Sequence, residues 1–190
     1  MKIYYDQAYD ATMAHEGAGQ RSNDRMDPGG ETFAGISRVY WPEWAGWKMI
    51  DKWLREGEPF KPEEVALLEP MVRQFYRVNF WHRVQGDKLA EMSPKLSAEV
   101  FDSAVNMGVT NAVRFLQAGY NVGNGMGDDL LVDGLLGPKT LAAIKRYLAT
   151  QPGTPALNEE ILLNCMNGEQ YIFYKNNPKH KYFRGWFRRV

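Results

Sequence analysis

The sequence contains few of the residues that support covalent or metal-based chemistry. Its single cysteine, Cys165, excludes a disulfide within the chain, and its apolar neighbours are typical of a buried, inert thiol. The three histidines, His15, His82 and His180, are far apart and lack the short spacing of a metal-binding motif. We therefore expect a protein that works without a metal ion or another cofactor.

Long apolar runs, net charge and internal repeats are also absent. The opening residues, MKIYYDQAYDA, are typical of an amphipathic helix and not of a signal peptide or a membrane anchor. The 23 basic residues balance the 23 acidic residues, which argues against a nucleic-acid partner. The 190 residues, 44% of them hydrophobic, suffice for a sizeable core. We expect a monomer that is synthesised in the cytoplasm and has no stable membrane insertion.

Helical patterns dominate the chain, and they predict a mainly α fold. Residues 32–37 are the one segment that favours a short β-strand, and it belongs to a predicted hairpin. Apolar residues recur at helical spacing in residues 5–16, 62–81, 98–105, 109–120, 139–148 and 157–174.

Glu16 ends the first predicted helix at a point suited to acid catalysis. Gly17 follows at once, which is usual where a helix terminates. Partial burial beside Met13 and the negative end of the helix dipole are both expected to raise the pKa of Glu16. A raised pKa suits a general acid near neutral pH. The alternative is a solvated glutamate at a helix terminus.

The motif DPGGET, residues 27–32, predicts a tight turn that leads into a strand. The turn is expected to fix Asp27, and the hydroxyl of Thr32 lies near enough in sequence to hold a water molecule with it. Two carboxyl groups on separate rigid elements can cleave a glycosidic bond, because one protonates the leaving oxygen and the other guides water. Taken alone, such a turn is common and is most often only a turn.

Other polar and aromatic residues are candidates for binding a sugar. The amides of Asn106 and Gln117 suit bonds to N-acetyl or hydroxyl groups, and bridging between helices is an equally good interpretation. Aromatic rings stack on sugar faces, although protein cores also use them. Sugar binding and core packing are both open interpretations for Trp41, Trp44, Trp47 and Trp53. Of these, Trp41 and Trp44 are the candidates for substrate binding.

The C-terminal segment KHKYFRGWFRRV gathers cations around aromatic residues. A terminal helix that packs through its aromatic side chains is the favoured interpretation. The alternative is that its cations help to hold an anionic polymer.

Three stretches of the sequence resemble a known family. HEGAGQRSNDRMDPGGETFAGIS, residues 15–37, resembles the opening pattern of glycoside hydrolase family 108, in which Glu-Gly-Gly precedes Asp-Pro-Gly-Gly-x-Thr and Gly-Ile-Thr/Ser. Residues 97–122 and 132–148, the latter with the turn DGLLGP, resemble the predicted peptidoglycan domain that forms the second half of these enzymes. Together these stretches extend the resemblance over nearly the whole chain.

The resemblance implies a lysozyme-like fold and the activity of a phage-associated N-acetylmuramidase. Glu16 would be the essential acid and, by analogy with phage-type lysozymes, Asp27 and Thr32 would complete the catalytic set. Ala18 replaces the second glycine of the pattern, and the interval from the glutamate to the aspartate is longer than usual. The longer loop makes Asp24 a competing second carboxylate.

The expected organisation is one lysozyme-like domain over residues 1–190. Residues 1–92 would form the catalytic half, with the glutamate helix and the hairpin, and residues 93–190 a helical peptidoglycan-binding half. The expected activity is hydrolysis, with inversion, of the β-1,4 bond between N-acetylmuramic acid and N-acetylglucosamine. The expected role is a phage or prophage endolysin that reaches the cell wall from the host cytoplasm through a holin, or by a dedicated secretion route.

Three alternatives remain open at this point. The first is a non-catalytic wall-binding or secretion-helper protein that keeps the fold. The second is a secreted antibacterial muramidase effector. The third is a chitin-directed hydrolase or a transglycosylase, which product analysis would distinguish from a muramidase.

Overall fold

The computed structural model describes residues 2–16, 21–22, 30–56, 61–125 and 129–178, with Lys2, His15 and Glu16 described by their backbone alone. Of the described residues, 72% are helical, which confirms a mainly α, lysozyme-like fold with a small β-sheet. In chain order the elements are α1 (Lys2–Glu16), β1 (Arg21–Ser22), β2 (Thr32–Phe33), β3 (Ile36–Ser37), α2 (Gly46–Glu56), α3 (Pro62–Tyr76), a π-helical turn (Arg77–Trp81), α4 (Gly86–Ala90), α5 (Pro94–Met107), α6 (Val109–Gly123), α7 (Pro138–Thr150) and α8 (Pro155–Asn176).

The chain divides into two compact units. The N-terminal unit is Tyr5–Asn79, and the C-terminal unit is Phe80–Val190 together with Met1–Tyr4. The organisation expected from the sequence, one domain with halves at 1–92 and 93–190, stays a prediction.

The small sheet is a correction to the sequence prediction for residues 32–37. That segment is two strands, β2 and β3, joined by a turn in which Ala34 and Gly35 both have positive φ, 48° and 77°. Positive φ at both central residues matches the twist of a tight hairpin, and glycine adopts it without strain. The sheet is antiparallel in the order β1-β2-β3 and pairs Thr32 with Ser22 on one side and with Ser37 on the other.

Helix α3 forms the centre of the N-terminal unit. It continues through Pro70 because its apolar face is fully packed, with Leu68 and Val72 at most 1% exposed. The predicted helix over residues 62–81 is correct in extent, but its last five residues form a π-helical turn. Short π-helical segments are frequent at functional sites.

The C-terminal unit is a helical cluster whose helices begin at strong signals. α5, α7 and α8 each have proline at the first position. An N–H group there would have no hydrogen-bond partner within the helix, so proline is tolerated. The hydroxyls of Ser93 and Thr154 accept N–H bonds from Leu96 and Leu157 at the starts of α5 and α8. α6 approaches α8 closely, because a Cβ atom at Gly119 would lie 2.8 Å from a backbone nitrogen of α8.

Two further observations concern predictions from composition. Among the described helices, none combines the length and the apolarity that crossing a membrane requires. Cys165 is partly buried on α8, and burial raises the pKa of its thiol. The reactive thiolate is therefore disfavoured.

Candidate active site

The predicted catalytic residues are described to different extents. Glu16 is the last residue of α1, one turn after the buried residues Thr12 and Met13, and its side chain lies outside the described part of the chain. Asp27 and its competitor Asp24 lie outside the described residues as well. Thr32 is half-buried on β2. The structure therefore describes the scaffold of the predicted site, with one of its three catalytic side chains.

The helix that carries Glu16 is fixed to α3 through Arg73. Its guanidinium pairs with Asp6 at 3.5 Å and with Asp10 at 2.5 Å, and it lies 4.3 Å from the ring centre of Tyr9. The hydroxyl of Tyr5 donates to the backbone carbonyl of Arg73. Aromatic packing and charge-assisted hydrogen bonds thus hold residues 5–10 of α1 against α3.

The hairpin that carries Thr32 is fixed to both α3 and α2. The hydroxyl of Tyr76, on α3, donates to the carbonyl of Ala34 at 2.8 Å. Glu31, which directly precedes Thr32, accepts bonds from Arg21 and Arg38, both at 2.7 Å. Arg21 lies on β1, and Arg38 directly follows β3. The carboxylate of Glu31 therefore links the first strand of the sheet to the residue after its last strand.

Arg38 extends this network to α2. Its guanidinium donates to both carboxylate oxygens of Asp51, at 2.7 and 3.1 Å, and lies 4.2 Å from the ring centre of Trp47. The hydrogen bond from Arg38 lowers the pKa of Asp51 below its ordinary value. The backbone on either side of Thr32 is therefore fixed by charged groups as well as by core packing.

An aromatic groove lies in the same unit, between residues 40–45 and one face of α3. Its volume is about 670 Å³, within the range typical of ligand pockets. Trp41 and Trp44, both predicted to bind substrate, line it together. The sequence alone did not identify the other residues that line the groove. Those on α3 recur at the same helical spacing as core residues. The other lining residues are Tyr40, Pro42, Glu43, Ala45, Pro70, Met71, Gln74, Phe75, Val78 and Asn79.

The four central tryptophans divide into two pairs with different roles. Trp47 and Trp53 are 2% and 8% exposed and belong to the core. Trp41 is 36% exposed, and its ring packs edge-on against Phe75 with the ring centres 4.9 Å apart. The ring of Trp44 stacks on that of Phe33 at 6.0 Å, and Phe33 directly follows Thr32. Trp44 therefore links the groove to the buried face of the hairpin.

Gln117 and Asn106, in the C-terminal unit, form bonds within the protein. Gln117 is 1% exposed; its amide nitrogen donates to Asp133 at 2.9 Å and its oxygen accepts the N–H of Gly134 at 2.9 Å. The amide of Asn106 donates to the carbonyl and the carboxylate of Asp102, one turn earlier on α5. These bonds favour the structural interpretation of both amides.

Replacing Gln117 with Leu is expected to lower the free energy of unfolding by about 1–3 kcal/mol, because the bonds from its buried amide to Asp133 and Leu135 are lost and the buried N–H of Gly134 loses its acceptor. Urea unfolding measures this loss, and Gln7→Leu, at an exposed position of α1, serves as the control. Activity per folded molecule is expected to stay unchanged. Unchanged stability with reduced activity would instead assign Gln117 to substrate binding.

The comparisons with known families decide what kind of enzyme this is. Residues 9–108 match the model of glycosyl hydrolase 108, and that stretch covers more than half of the chain. The chain belongs to glycosyl hydrolase family 108. Residues 111–190 match the model described as a predicted peptidoglycan domain. This family member is therefore a glycosidase that binds peptidoglycan, and the two matches together make it a peptidoglycan hydrolase.

A solved structure has a similar fold over the whole length of this family 108 enzyme. The structure of Brucella abortus SagA is similar with a TM-score of 0.66 and 25% sequence identity, and the match covers 100% of this chain and 90% of that one. No curated protein matches the chain. The resemblance that the sequence motifs predicted is confirmed.

Proposed function

We propose that the enzyme is an N-acetylmuramidase, a lysozyme, that hydrolyses the β-1,4 bond between N-acetylmuramic acid and N-acetylglucosamine. The observation that carries the proposal is the family match over residues 9–108, which includes Glu16, Asp27, Thr32 and the aromatic groove. A glycan strand offers flat sugar faces to aromatic rings. The groove beside the hairpin is suited to such a ligand.

In the proposed reaction, Glu16 donates its proton to the glycosidic oxygen as the bond to the anomeric carbon breaks. Asp27 takes a proton from a water molecule that Thr32 helps to hold, and the water oxygen bonds to the anomeric carbon from the opposite face. The sugar leaves with inverted configuration. The clamp of Glu31 between Arg21 and Arg38 supports this role, because it fixes the backbone beside Thr32.

Inversion is tested by following the newly released reducing end by proton NMR before mutarotation. Inverting carboxylate pairs stand about 6.5–9.5 Å apart and leave room for water, whereas retaining pairs stand about 5–5.5 Å apart. An α product formed first from the β-linked glycan is the expected result. A β product formed first would make the second carboxylate a nucleophile and contradict the proposed role of Thr32.

Replacing Trp41 with Ala is expected to raise the KM for soluble glycan strands roughly tenfold and to leave kcat nearly unchanged, because a ring that packs on a sugar is lost. The indole of Trp47 donates a hydrogen bond to the backbone carbonyl of Trp41, which the alanine variant retains. The fold is therefore expected to persist. Steady-state kinetics measure the effect. Trp41→Phe, which retains a ring, is expected to recover most of the affinity, and an unchanged KM in Trp41→Ala would exclude the ring from substrate binding.

We further propose that the enzyme is a phage or prophage endolysin, made in the host cytoplasm and released to the wall by a holin. The resemblance of the motifs to phage-associated muramidases supports this role. Expression in a bacterial host is expected to cause lysis only when a holin is expressed with it. Lysis or antibacterial activity without a holin would favour a secreted effector.

A further inference from the structure

A separate pocket, the α8 pocket, lies in the C-terminal unit. Its volume is about 370 Å³, at the lower end of the range typical of ligand pockets. The residues that line it are Phe115 on α6 and Glu169, Ile172, Phe173, Asn176 and Asn177 on α8 or directly after it. All six belong to residues 111–190, the match to the predicted peptidoglycan domain. That match does not specify which part of the wall polymer is bound, and the chemistry of the α8 pocket addresses this question.

Three of the lining side chains are apolar. The rings of Phe115 and Phe173 pack edge to face, with their centres 5.4 Å apart. Phe115 is 7% exposed, Phe173 is half-buried, and the neighbouring Ile172 is 50% exposed. An aliphatic chain that lies along this part of the pocket removes apolar surface from water on both sides of the contact.

Glu169 is the one charged residue among the six that line the pocket. It lies one turn before Phe173 on α8 and is half-buried. In the described part of the chain, no lysine, arginine or histidine forms an ion pair with its carboxylate. Partial burial costs a carboxylate some of its hydration, and no cation of the described residues offsets that cost. The carboxylate is therefore suited to pair with a cation from a ligand.

The end of α8 adds negative potential to the same region. The helix runs for 22 residues and ends at Asn176, and the last carbonyl groups of such a helix carry partial negative charge. Lys175 shares this last turn, but it is exposed and does not line the pocket. The α8 pocket thus combines apolar surface with groups that favour a cation.

An aliphatic side chain that ends in an ammonium group has the complementary chemistry. The stem peptides of peptidoglycan carry such a side chain on their diamino acid, which is lysine or diaminopimelic acid. We propose that the α8 pocket binds the diamino acid of an uncross-linked stem peptide. The ammonium group pairs with Glu169, and the methylene groups pack against Ile172 and Phe173.

This assignment implies a preference among stem peptides. Cross-linking converts the side-chain amine into an amide and removes its charge, so a cross-linked stem loses the ion pair with Glu169. The domain is therefore expected to favour uncross-linked parts of the wall. The inference does not depend on which glycosidic bond the enzyme cleaves.

The test titrates the full-length protein with two tripeptides by isothermal titration calorimetry. Both are N-terminally acetylated alanyl-γ-glutamyl peptides, one ending in lysine and the other in diaminopimelic acid, so the side-chain amine is the only cation. They contain no sugar, and cleavage cannot interfere. At least one is expected to bind, and acetylating its side-chain amine is expected to weaken binding about tenfold. The peptide that binds more tightly identifies the diamino acid.

Variants decide whether the α8 pocket is responsible. Glu169→Gln is expected to weaken binding of the free-amine peptide about tenfold and to leave binding of the acetylated peptide unchanged. Its thermal unfolding midpoint is expected to stay the same, because no ion pair with a described residue is lost. Ile172→Ala is expected to weaken binding of both peptides. Glu160→Gln, at an exposed position of α8 outside the pocket, is the matched control and is expected to keep the wild-type affinity.

The outcomes separate this inference from the proposed function. Absence of binding, equal binding of the free-amine and acetylated forms, or a preference that Glu169→Gln retains overturns the inference. Each of these results leaves the muramidase proposal intact, because cleavage of the glycan tests that proposal. A protein that binds the free-amine peptide through Glu169 but cleaves no sacculi would support the inference and overturn the muramidase proposal.

Discussion

Replacing Glu16 with Gln is expected to lower peptidoglycan cleavage by about 10²-fold or more, because the amide keeps the shape of the side chain but cannot donate the catalytic proton. The thermal unfolding midpoint is expected to change little, since α1 is held by Tyr5, Tyr9 and the ion pairs of Arg73. Release of soluble fragments from purified sacculi measures the rate.

A matched substitution separates catalysis from a general effect of removing a carboxylate. Glu63→Gln, at an exposed position in the first turn of α3, is expected to retain full activity. A Glu16→Gln variant that cleaves sacculi at nearly the wild-type rate would exclude Glu16 as the acid.

Replacing Asp27 with Asn is expected to be far more damaging than replacing Asp24 with Asn. The reason lies in the sequence, because the Pro-Gly-Gly that follows Asp27 constrains the backbone at that carboxylate. No such constraint surrounds Asp24. Cleavage rates of the two variants on the same sacculi, each corrected for the folded fraction, give the comparison.

The opposite order would identify Asp24 as the second carboxylate. Equal and mild effects would mean that Glu16 acts with a water molecule held by other groups, among them Thr32. Either result leaves the assignment of Glu16 as the acid intact, because the Glu16→Gln variant tests it separately.

The helical part of the fold is predictable because local signals agree with tertiary packing. α7 and α8 begin at Pro138 and Pro155, close to the predicted starts. Residues 32–37 were less predictable. The positive φ of Ala34 is unusual for a residue with a side chain, so the turn that divides the segment has a weak sequence signal.

The aromatic groove shows where sequence reasoning about the site fails. Trp41 and Trp44 were candidates because of their chemistry, but periodicity cannot distinguish a residue that faces a groove from one that faces the core. Phe75 illustrates this, because it lies on the apolar side of α3 and is 8% exposed, yet it also lines the groove.

Gln117 shows the converse difficulty for a polar residue. Its spacing on α6 is compatible with either a binding or a structural role. Its partners Asp133 and Gly134 come 16 and 17 residues later. Only the path of the chain after α6 brings them to the amide, and local patterns do not determine that path.

The central claim is that the enzyme hydrolyses the glycan strand on the reducing side of N-acetylmuramic acid. The most direct test digests purified sacculi, reduces the products with borohydride and identifies the terminal sugars by mass spectrometry. The account predicts muramitol ends, which appear with the wild-type enzyme and are largely lost with Glu16→Gln. Glucosaminitol ends would contradict the choice of bond, and anhydro-muramic ends would show a transglycosylase instead of a hydrolase.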